Sequence, residues 1–426
     1  MSRFIVEQAK THRKGALKTA SENYTNSKLY GWIVSPYTAK VRSMLAYKRI
    51  AFTDVNPSAM QIFGMIKPAV GRVIMPTMKL ADGTWRQDSA LICDEIEAEH
   101  PEPSTKPTGA AQQLASSLLE FHADEWLPML ALHYRWDKPE NAAWAQSEFG
   151  RIGFPILPRA VSSVLAKPMA GRMKAIRKSV GVEPGTYEGL EAHASLIIGT
   201  LEAHLSSGHP YLLGGKPCRG DFSLYGPIFA HLYRDPAYRD ELFSSAPHLV
   251  KWMERLHGHD NDPTFPELPC RTPQPHEPSA AYLSGDSVPE TLDPLFKAIF
   301  AEHWKHSIEL SETLDSYLDS EPQPSAPEGK VPVPRALGSV DFAVGGVTGR
   351  RRLLTHGAWH VQRPLDLYNT FKMAPSRELE LRSVEKWLNR LGALEAFTSL
   401  APKFRIERDN TLPSEKEVFY TVRSRL

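Results

Sequence analysis

The pattern of apolar and polar positions begins with a short unit of alternating strands and helices. Residues 29–34 (LYGWIV) form an apolar run that predicts a buried strand, residues 38–49 show helical spacing, and residues 51–56 (AFTDVN) predict a second strand. Residues 73–87 predict two strands joined by a tight turn, because an Asp-Gly pair lies between two strand-like runs. A helix follows over residues 89–99. This order of elements predicts a small α/β domain.

The pattern changes to long helical stretches from about residue 110 to residue 258 and shows no strand-like alternation there. This part predicts an all-α domain. Residues 261–294 are rich in Pro, Ser and Thr and predict a connector, and the Pro-rich residues 321–336 predict an extended segment. Beyond it we expect a hairpin that turns near residues 345–349 and an amphipathic helix over residues 376–394.

These patterns divide the chain into four segments and predict an α+β fold. We expect an N-terminal arm over residues 1–28, the α/β domain over residues 29–104, the all-α domain over residues 105–260 and a mostly helical C-terminal extension over residues 261–426. The helices of the extension carry clustered apolar residues, which must be buried against another surface. We therefore predict that the extension packs on the core, where it narrows a substrate pocket or forms a subunit contact. An independently folding third domain is the alternative.

Composition and charge exclude several classes of function. The chain has 426 residues, 50 basic against 49 acidic, and a formal net charge of +1, so no global field attracts nucleic acid or an anionic membrane. The three cysteines, Cys93, Cys218 and Cys270, show no metal-binding spacing, which favours a reducing cytoplasm and no bound metal. No apolar run is long enough to span a membrane. We expect a cytoplasmic protein with no nucleic-acid or membrane partner.

A proline in the first predicted strand of the hairpin is the first sign of a binding site. Pro76 follows Met75 in the apolar run VIMPTM, where a proline removes a hydrogen bond from the ladder. A cis Met75–Pro76 bond would turn the backbone of Met75 outward, so that its N–H and C=O could pair with an extended peptide ligand. A proline on an edge strand is the alternative.

Two predicted helix starts carry polar side chains that could bind the same kind of ligand. Ser35 precedes Pro36, and a hydroxyl at that point can donate a hydrogen bond to a thiolate and favour the ionised sulfur. Asp88 and Ser89 begin the next helix, where a ligand carboxylate is favoured, and Asp88 could also pair with a ligand ammonium group. Each residue could instead be an ordinary helix cap.

Together these three features resemble the glutathione transferase family. The matching stretches are SPYTAKVR, GRVIMPTMKLADGTWRQDSALICDEIE and YLLGGKPCRGDFSLYGP, and the resemblance extends over about residues 29–258. Ser35-Pro36-Tyr37 and the Asp88-Ser89 pair are most similar to the branch of fungal transferases and bacterial glutathione-dependent β-aryl etherases. The resemblance implies a thioredoxin-like domain that binds glutathione as a cosubstrate, an all-α transferase domain and a homodimer.

The resemblance also implies roles for particular residues. Ser35 or Tyr37 would activate the glutathione thiol as the catalytic residue. Met75, before the cis-proline Pro76, would pair with the cysteinyl backbone of glutathione, and Asp88 and Ser89 would hold its γ-glutamyl end. Another family feature is altered here, since the capping box of the helical domain has Cys218 in place of a hydroxyl residue, while Asp221 can still cap.

The implied activity is that of a glutathione-dependent transferase whose bound thiolate attacks a small apolar electrophile. A glutathione-dependent ether-cleaving enzyme or isomerase would use the same site. A non-catalytic interaction module with the transferase fold is the alternative from another class, because the extension over residues 261–426 has no counterpart in ordinary members.

Overall fold

The computed structural model describes residues 27–257, 280–320, 331–408 and 420–424. Residues 1–26 of the predicted N-terminal arm, most of the predicted connector and the greater part of the Pro-rich segment lie outside these residues, as does Cys270. The last two residues of the predicted arm, Ser27 and Lys28, belong to the first strand.

The first domain is a four-stranded mixed sheet with helices packed against it. Its strands are ordered β2-β1-β3-β4, with β1 parallel to β2 and antiparallel to β3, and with β3 antiparallel to β4. The elements in chain order are β1 (Ser27–Tyr30), α1 (Pro36–Tyr47), β2 (Phe52–Val55), α2 (Ala59–Gln61), a π-helical segment (Ile62–Ile66), α3 (Lys67–Val70), β3 (Thr77–Lys79), β4 (Trp85–Gln87) and α4 (Ser89–Glu99).

The second domain is all-helical, as predicted. Its elements are α5 (Ala110–Glu125), α6 (Pro128–Trp136), α7 (Pro139–Gly153), α8 (Arg159–Leu165), α9 (Lys167–Ser179), α10 (Tyr187–Ser206), α11 (Arg219–Pro227) with a π-helical continuation (Ile228–Tyr233), α12 (Arg239–Phe243) and α13 (Pro247–Leu256).

The extension is mostly helical and also contains short sheets. It comprises α14 (Asp293–Ala298), a π-helical segment (Ile299–Trp304), α15 (Lys305–Ser320), β5 (Val331–Pro332), β6 (Ala336–Val344), β7 (Val347–Leu354), α16 (His356–Lys372), α17 (Glu378–Leu391), α18 (Leu394–Ser399), β8 (Phe404–Arg408) and β9 (Tyr420–Ser424). The predicted hairpin is β6–β7, and Gly345 and Gly346 both have the positive φ that its two-residue turn requires.

Helix α5 lies at the centre of the molecule. Helix α11 packs against it from the second domain, and α16 and α17 pack against it from the extension. Trp304 of the extension is fully buried, and its ring lies edge-on to Phe121 of α5, with 6.0 Å between the ring centroids. One hydrophobic cluster therefore includes side chains from the first domain, the helical domain and the extension.

The structure changes two details of the predicted strands. The first strand ends at Tyr30, so residues 31–34 leave the sheet as a buried loop. Pro76 lies immediately before β3 and not inside it, because a residue without an N–H cannot donate to the ladder that starts at Thr77. The Met75–Pro76 bond is cis, which confirms that prediction.

Candidate functional site

One edge of the four-stranded sheet brings the predicted site segments together. Tyr30, Thr77 and Gln87 lie side by side across β1, β3 and β4. Because β3 is antiparallel to both neighbours, β1 and β4 leave the sheet at this edge and β3 enters it there. Three segments therefore begin or end at the same edge, namely those that carry Ser35, Met75–Pro76 and Asp88–Ser89.

Ser35 is the N-cap of α1. Its Oγ accepts a hydrogen bond from the Thr38 N–H at 3.3 Å, and Pro36 occupies the first turn of the helix. A serine hydroxyl has one hydrogen to donate and two acceptor lone pairs, so the cap leaves the hydroxyl hydrogen for a ligand. The first N–H groups of the helix add positive potential at the same point. Capping and thiolate stabilisation are therefore compatible roles for Ser35.

The loop that leads to Ser35 is fixed by its neighbours. The indole N–H of Trp32 donates to the carbonyl of Pro57 at 2.7 Å, and the Ile33 N–H donates to Oδ1 of Asn56 at 3.1 Å. Both partners follow β2, which runs parallel to β1 and ends at the same edge. These bonds hold the loop in place and so set the position of Ser35.

Arg135 fixes the same loop from the helical domain. Its Nη1 donates to the carbonyl of Val34 at 3.1 Å, and its Nη2 donates to the carbonyl of Ala230 at 2.6 Å. Nε and Nη2 also bind the two carboxylate oxygens of Asp235, at 2.8 and 2.6 Å. Arg135 and Asp235 are both buried, so this pair fixes the backbone next to Ser35 by a bidentate contact inside the protein.

The hydroxyl of Tyr37 is directed away from this edge. It donates to the backbone carbonyl of Asp124 in α5 at 2.9 Å. Lys40, one turn further along α1, binds the carboxylates of Asp124 and Glu120 at 2.6 and 2.7 Å. These contacts hold α1 against α5, and they give the Tyr37 hydroxyl hydrogen a backbone acceptor.

Asp88 caps α4 in an unusual backbone conformation. Its φ is +77°, and its Oδ1 accepts hydrogen bonds from the N–H groups of Ala90 and Leu91 at 2.9 and 3.2 Å. A positive φ is uncommon for a residue other than glycine, and such residues are concentrated at functional sites. Ser89, the next residue, is buried at the start of the helix.

Two buried side-chain oxygens lie at this edge of the sheet. Within the part of the chain that the structure describes, Thr77 Oγ1 and Gln87 Oε1 have no hydrogen-bond partner. Buried polar atoms usually have a partner, and each exception needs an explanation. Both atoms lie in the strand row from which the predicted site segments start, and both are shielded from solvent.

An apolar wall borders Ser35 and Met75. Ile33 and Val34, just before Ser35, belong to a buried cluster that includes Trp136 of α6 and Phe149 of α7. Partly buried methionines pack against this cluster from both domains: Met65, Met75, Met169 and Met173. Methionine is flexible and polarizable and adapts to apolar surfaces of different shapes. The wall is suited to a varied apolar ligand.

Helix α11 closes the other side of α1. A Cβ at Gly226 would lie 2.5 Å from the carbonyl oxygen of Pro36, so only glycine permits this approach. Asp221 caps α11, as predicted, because its carboxylate accepts from the Cys218 N–H and from the indole of Trp252, each at 2.9 Å. Burial raises the pKa of the Cys218 thiol, which keeps that thiol neutral.

Sequence reasoning missed Arg135, Asp235, Thr77 and Gln87. Arg135 and Asp235 lie 100 residues apart, and their only signal is a charge inside an otherwise apolar helical stretch. Thr77 and Gln87 follow the ordinary alternation of a strand and give no separate signal.

The described residues contain neither a metal-binding cluster nor a membrane-spanning helix. No group of three or more His, Cys, Asp or Glu side chains among them could hold a metal ion. None of the helices in the same ranges is long and apolar enough to cross a membrane.

Comparison with known proteins identifies the first domain. Residues 29–104 match the family model for the glutathione S-transferase N-terminal domain. This stretch is a glutathione S-transferase N-terminal domain. The match confirms the resemblance over this domain and its thioredoxin-like fold, and all three site segments lie within it. No curated protein matches the chain.

Several solved structures are similar to part of this chain. A glutathione S-transferase from Rhodospirillum rubrum F11 has 18% identity and a TM-score of 0.36, with 62% of this chain and 96% of that chain covered. The β-etherase LigF from Sphingobium sp. strain SYK-6 has 18% identity and a TM-score of 0.36, with 57% and 98% covered. At these TM-scores the likenesses add nothing to the assignment of the domain.

Proposed function

We propose that the protein is a glutathione-dependent enzyme in which the bound thiolate attacks an apolar electrophile. The observation that carries the proposal is the meeting of three segments, those that carry Ser35, Met75–Pro76 and Asp88–Ser89, at one edge of a glutathione S-transferase N-terminal domain, beside an apolar wall. The sulfur would form the new bond to carbon, and the leaving group would depart with its electron pair. The chain's own part is to bind, orient and ionise the thiol.

Ser35 is the residue we assign to the thiolate. Its hydroxyl hydrogen remains available beyond the cap, and the N-terminus of α1 favours negative charge at that point. Tyr37 is the weaker candidate, because its hydroxyl donates to the carbonyl of Asp124. Of the two residues expected to activate the thiol, Ser35 therefore takes the catalytic role and Tyr37 a positioning role.

The remaining predicted residues are assigned to the peptide part of glutathione. Met75 precedes the sheet ladder, and its N–H and C=O would pair with the cysteinyl backbone. Asp88 and Ser89 begin α4, and they would hold the γ-glutamyl end, whose ammonium group faces a carboxylate and whose carboxylate faces a helix N-terminus.

Titration of the bound thiol tests the assignment of Ser35. A hydrogen bond to a charged group is worth about 1.5–3 kcal/mol, so Ser35→Ala should raise the pKa of bound glutathione thiol by about 1–2 units and lower turnover. The thiolate absorbs in the ultraviolet, and the titration is run on the wild type and on each variant at saturating glutathione.

Tyr37→Phe is the matched control, since it removes a hydroxyl from the same turn of α1. We expect it to leave the thiol pKa unchanged. A shift in Tyr37→Phe with none in Ser35→Ala would reverse the assignment. Failure of the wild type to bind glutathione at all would favour the non-catalytic interaction module.

A further inference from the structure

Charge is strongly segregated in one segment of the helical domain. Residues 154–182 contain six basic residues and no acidic residue. Because the whole chain carries a net charge of +1, the rest of it carries −5. The basic residues are Arg159, Lys167, Arg172, Lys174, Arg177 and Lys178.

The same segment exposes large aliphatic side chains. Ile156 is 92% exposed in the loop before α8, and Val164 of α8 is 56% exposed. The exposed aliphatic residues of the segment are Ile156, Leu157, Val161, Val164, Leu165 and Ile176. They make up more than half of the large apolar residues that are exposed in the described chain, so this is a patch and not scattered exposure.

Most of the exposed aliphatic side chains of the two helices lie on α8, and most of the basic side chains lie on α9. Ser162 and Ala166 mark the buried side of α8, and the opposite side presents valines and leucine to solvent. Ala170 marks the buried side of α9, where Lys167, Arg172 and Lys178 lie on the exposed side. Two consecutive helices, the first with an apolar outer face and the second with a basic outer face, have the composition of an element that lies on a membrane interface.

Most of the basic side chains are not neutralised within the protein. Arg177 pairs with Asp137, and Nη2 of Arg159 lies 3.4 Å from Oε1 of Glu148. Lys167, Arg172, Lys174 and Lys178 form no ion pair with any residue in the described ranges. Four exposed cations therefore remain for an external anion.

We propose that the segment over residues 154–182 docks on an anionic phospholipid surface. The exposed aliphatic side chains would enter the boundary between headgroups and acyl chains, and the four cations would contact anionic headgroups. The net charge of the whole chain had excluded a membrane partner, and the segregation of charge changes that conclusion. This docking does not depend on the proposed glutathione chemistry.

Two other occupants fit the patch less well. A second copy of the chain in a two-fold contact would bring one basic segment against another, and like charges repel. A nucleic acid would meet exposed Ile, Leu and Val side chains, which offer no hydrogen bonds or ring stacking to bases. A lipid surface satisfies both the aliphatic and the basic side chains.

The inner side of this element belongs to the candidate site. Met169, Ala170 and Met173 of α9 pack in the same cluster as Val34 and Met75. A lipid-bound segment would therefore place the apolar wall beside Ser35 close to the membrane surface, where an apolar electrophile is concentrated.

Vesicle sedimentation with the full-length protein tests the docking. We expect binding to phosphatidylcholine vesicles that contain phosphatidylserine, weaker binding as salt is raised, and little binding to phosphatidylcholine alone. Replacing Lys167, Arg172, Lys174 and Lys178 by Gln should weaken binding by about fivefold per residue. Ile156→Asp with Val164→Asp should abolish it.

Matched variants elsewhere on the surface complete the test. Met373→Asp with Leu379→Asp changes two residues that are 82% and 81% exposed, and it should leave binding unchanged. Replacing four other exposed lysines by Gln removes the same charge and should have a much smaller effect; they are Lys251, Lys305, Lys372 and Lys386.

Three results would overturn the proposal. The first is no binding of the wild type to anionic vesicles at low salt. The second is equal loss of binding in the segment variants and their matched controls. The third is that Ile156→Asp with Val164→Asp dissociates a dimer in sedimentation velocity while vesicle binding is absent, which would assign the patch to a second copy.

Discussion

Arg135 shows how a single residue can position the candidate site from another domain. It contacts the Val34 carbonyl and Asp235 through a rigid planar fork, which a lysine cannot reproduce. Both charges are buried, and each would be costly to bury alone.

We predict that Arg135→Gln destabilises the protein by about 3–5 kcal/mol, because it leaves the Asp235 carboxylate buried without its partner. The free energy of unfolding from urea denaturation measures this. Where the variant still folds, the Michaelis constant for glutathione should rise, because the loop before Ser35 has lost a contact.

Arg382→Gln is the matched control for Arg135→Gln. Arg382 pairs with Glu378 on the surface, with both side chains more than 60% exposed, so its loss should cost less than about 1 kcal/mol. Equal effects of the two substitutions would contradict the role of Arg135.

Prediction at the residue scale succeeded where a side chain acts within its own turn. Ser35, Asp88 and Asp221 all cap the helices that the sequence predicted for them. Arg135 could not be predicted, because its partners come from a loop and a helix end about 100 residues away on either side.

Among the helices, α5 carries an unusual number of buried charges. Glu120, Asp124 and Glu125 are all on its last turns, and they meet cations from α1, α11 and α16. Burial opposes ionisation of Glu125, but His356 and His360 of α16, whose Nε2 atoms lie 3.0 and 3.1 Å from its carboxylate, hold its pKa at about 2. The extension therefore supplies the side-chain partners of the buried Glu125 carboxylate.

The contact between α5 and the extension, which we call the seam, also contains buried histidines. His303 stacks on Phe121 with 3.8 Å between ring centroids and also faces Trp126. Burial, followed by the nearby charge of Arg351, lowers the pKa of His306 to about 3. Burial also lowers the pKa of His360 to about 4, against the attraction of Glu125. At neutral pH these rings pack as neutral groups.

We predict that lowering the pH reduces the free energy of unfolding through these histidines before the buried carboxylates become protonated. Between about pH 6.5 and 4 the unfolded chain binds protons at His306 and His360 that the native protein does not, so stability falls as pH falls. Each histidine contributes about 1.4 kcal/mol per pH unit. Urea denaturation at pH 7, 6 and 5 measures the slope.

His306→Gln should reduce the slope of unfolding free energy against pH by about 1.4 kcal/mol per pH unit, because the unfolded chain loses one proton-binding site. His248→Gln is the control, since the His248 side chain is 45% exposed and lies outside the seam. A stability that is flat from pH 7 to pH 5 would contradict the prediction.

Prediction of elements was accurate where the pattern is local. The helix over residues 89–99, the hairpin that turns at Gly345 and the helix within residues 376–394 all form. The π-helical segments, such as Ile299–Trp304, could not be predicted, because their apolar spacing differs little from that of an α-helix. The partner of each buried charge depends on packing between elements, which no local pattern contains.

For the whole molecule, the extension is a structural part of the core. Nη2 of Arg351 donates to the carbonyl of Glu125 in α5 at 3.1 Å, and Arg363 binds the carboxylate of Asp94 in α4 at 2.9 and 3.0 Å. The four-segment division remains a proposal, and these contacts favour the packed extension over an independent third domain.

We predict that cutting the chain between Ser320 and Val331 does not separate the two pieces. A protease site inserted there and cleaved in the folded protein should leave both pieces in one peak on gel filtration, because α16 and α17 pack against α5. Elution of residues 331–426 as a separate folded piece would support the independent domain. The same protein before cleavage gives the elution volume with which the cleaved sample is compared.

Net charge is the property of the whole molecule that misled the sequence analysis. The net charge of +1 is the sum of +6 on residues 154–182 and −5 on the rest of the chain. Only the structure showed that the basic segment is exposed together with aliphatic residues, which is why a membrane partner was excluded at first.

A crystal structure of the protein with glutathione tests the central claim most directly. We predict the sulfur within hydrogen-bond distance of Ser35 Oγ, the cysteinyl backbone paired with the N–H and C=O of Met75, and the γ-glutamyl end at Asp88 and Ser89. Glutathione bound at another place, or at this edge with its sulfur turned away from Ser35, would contradict the account.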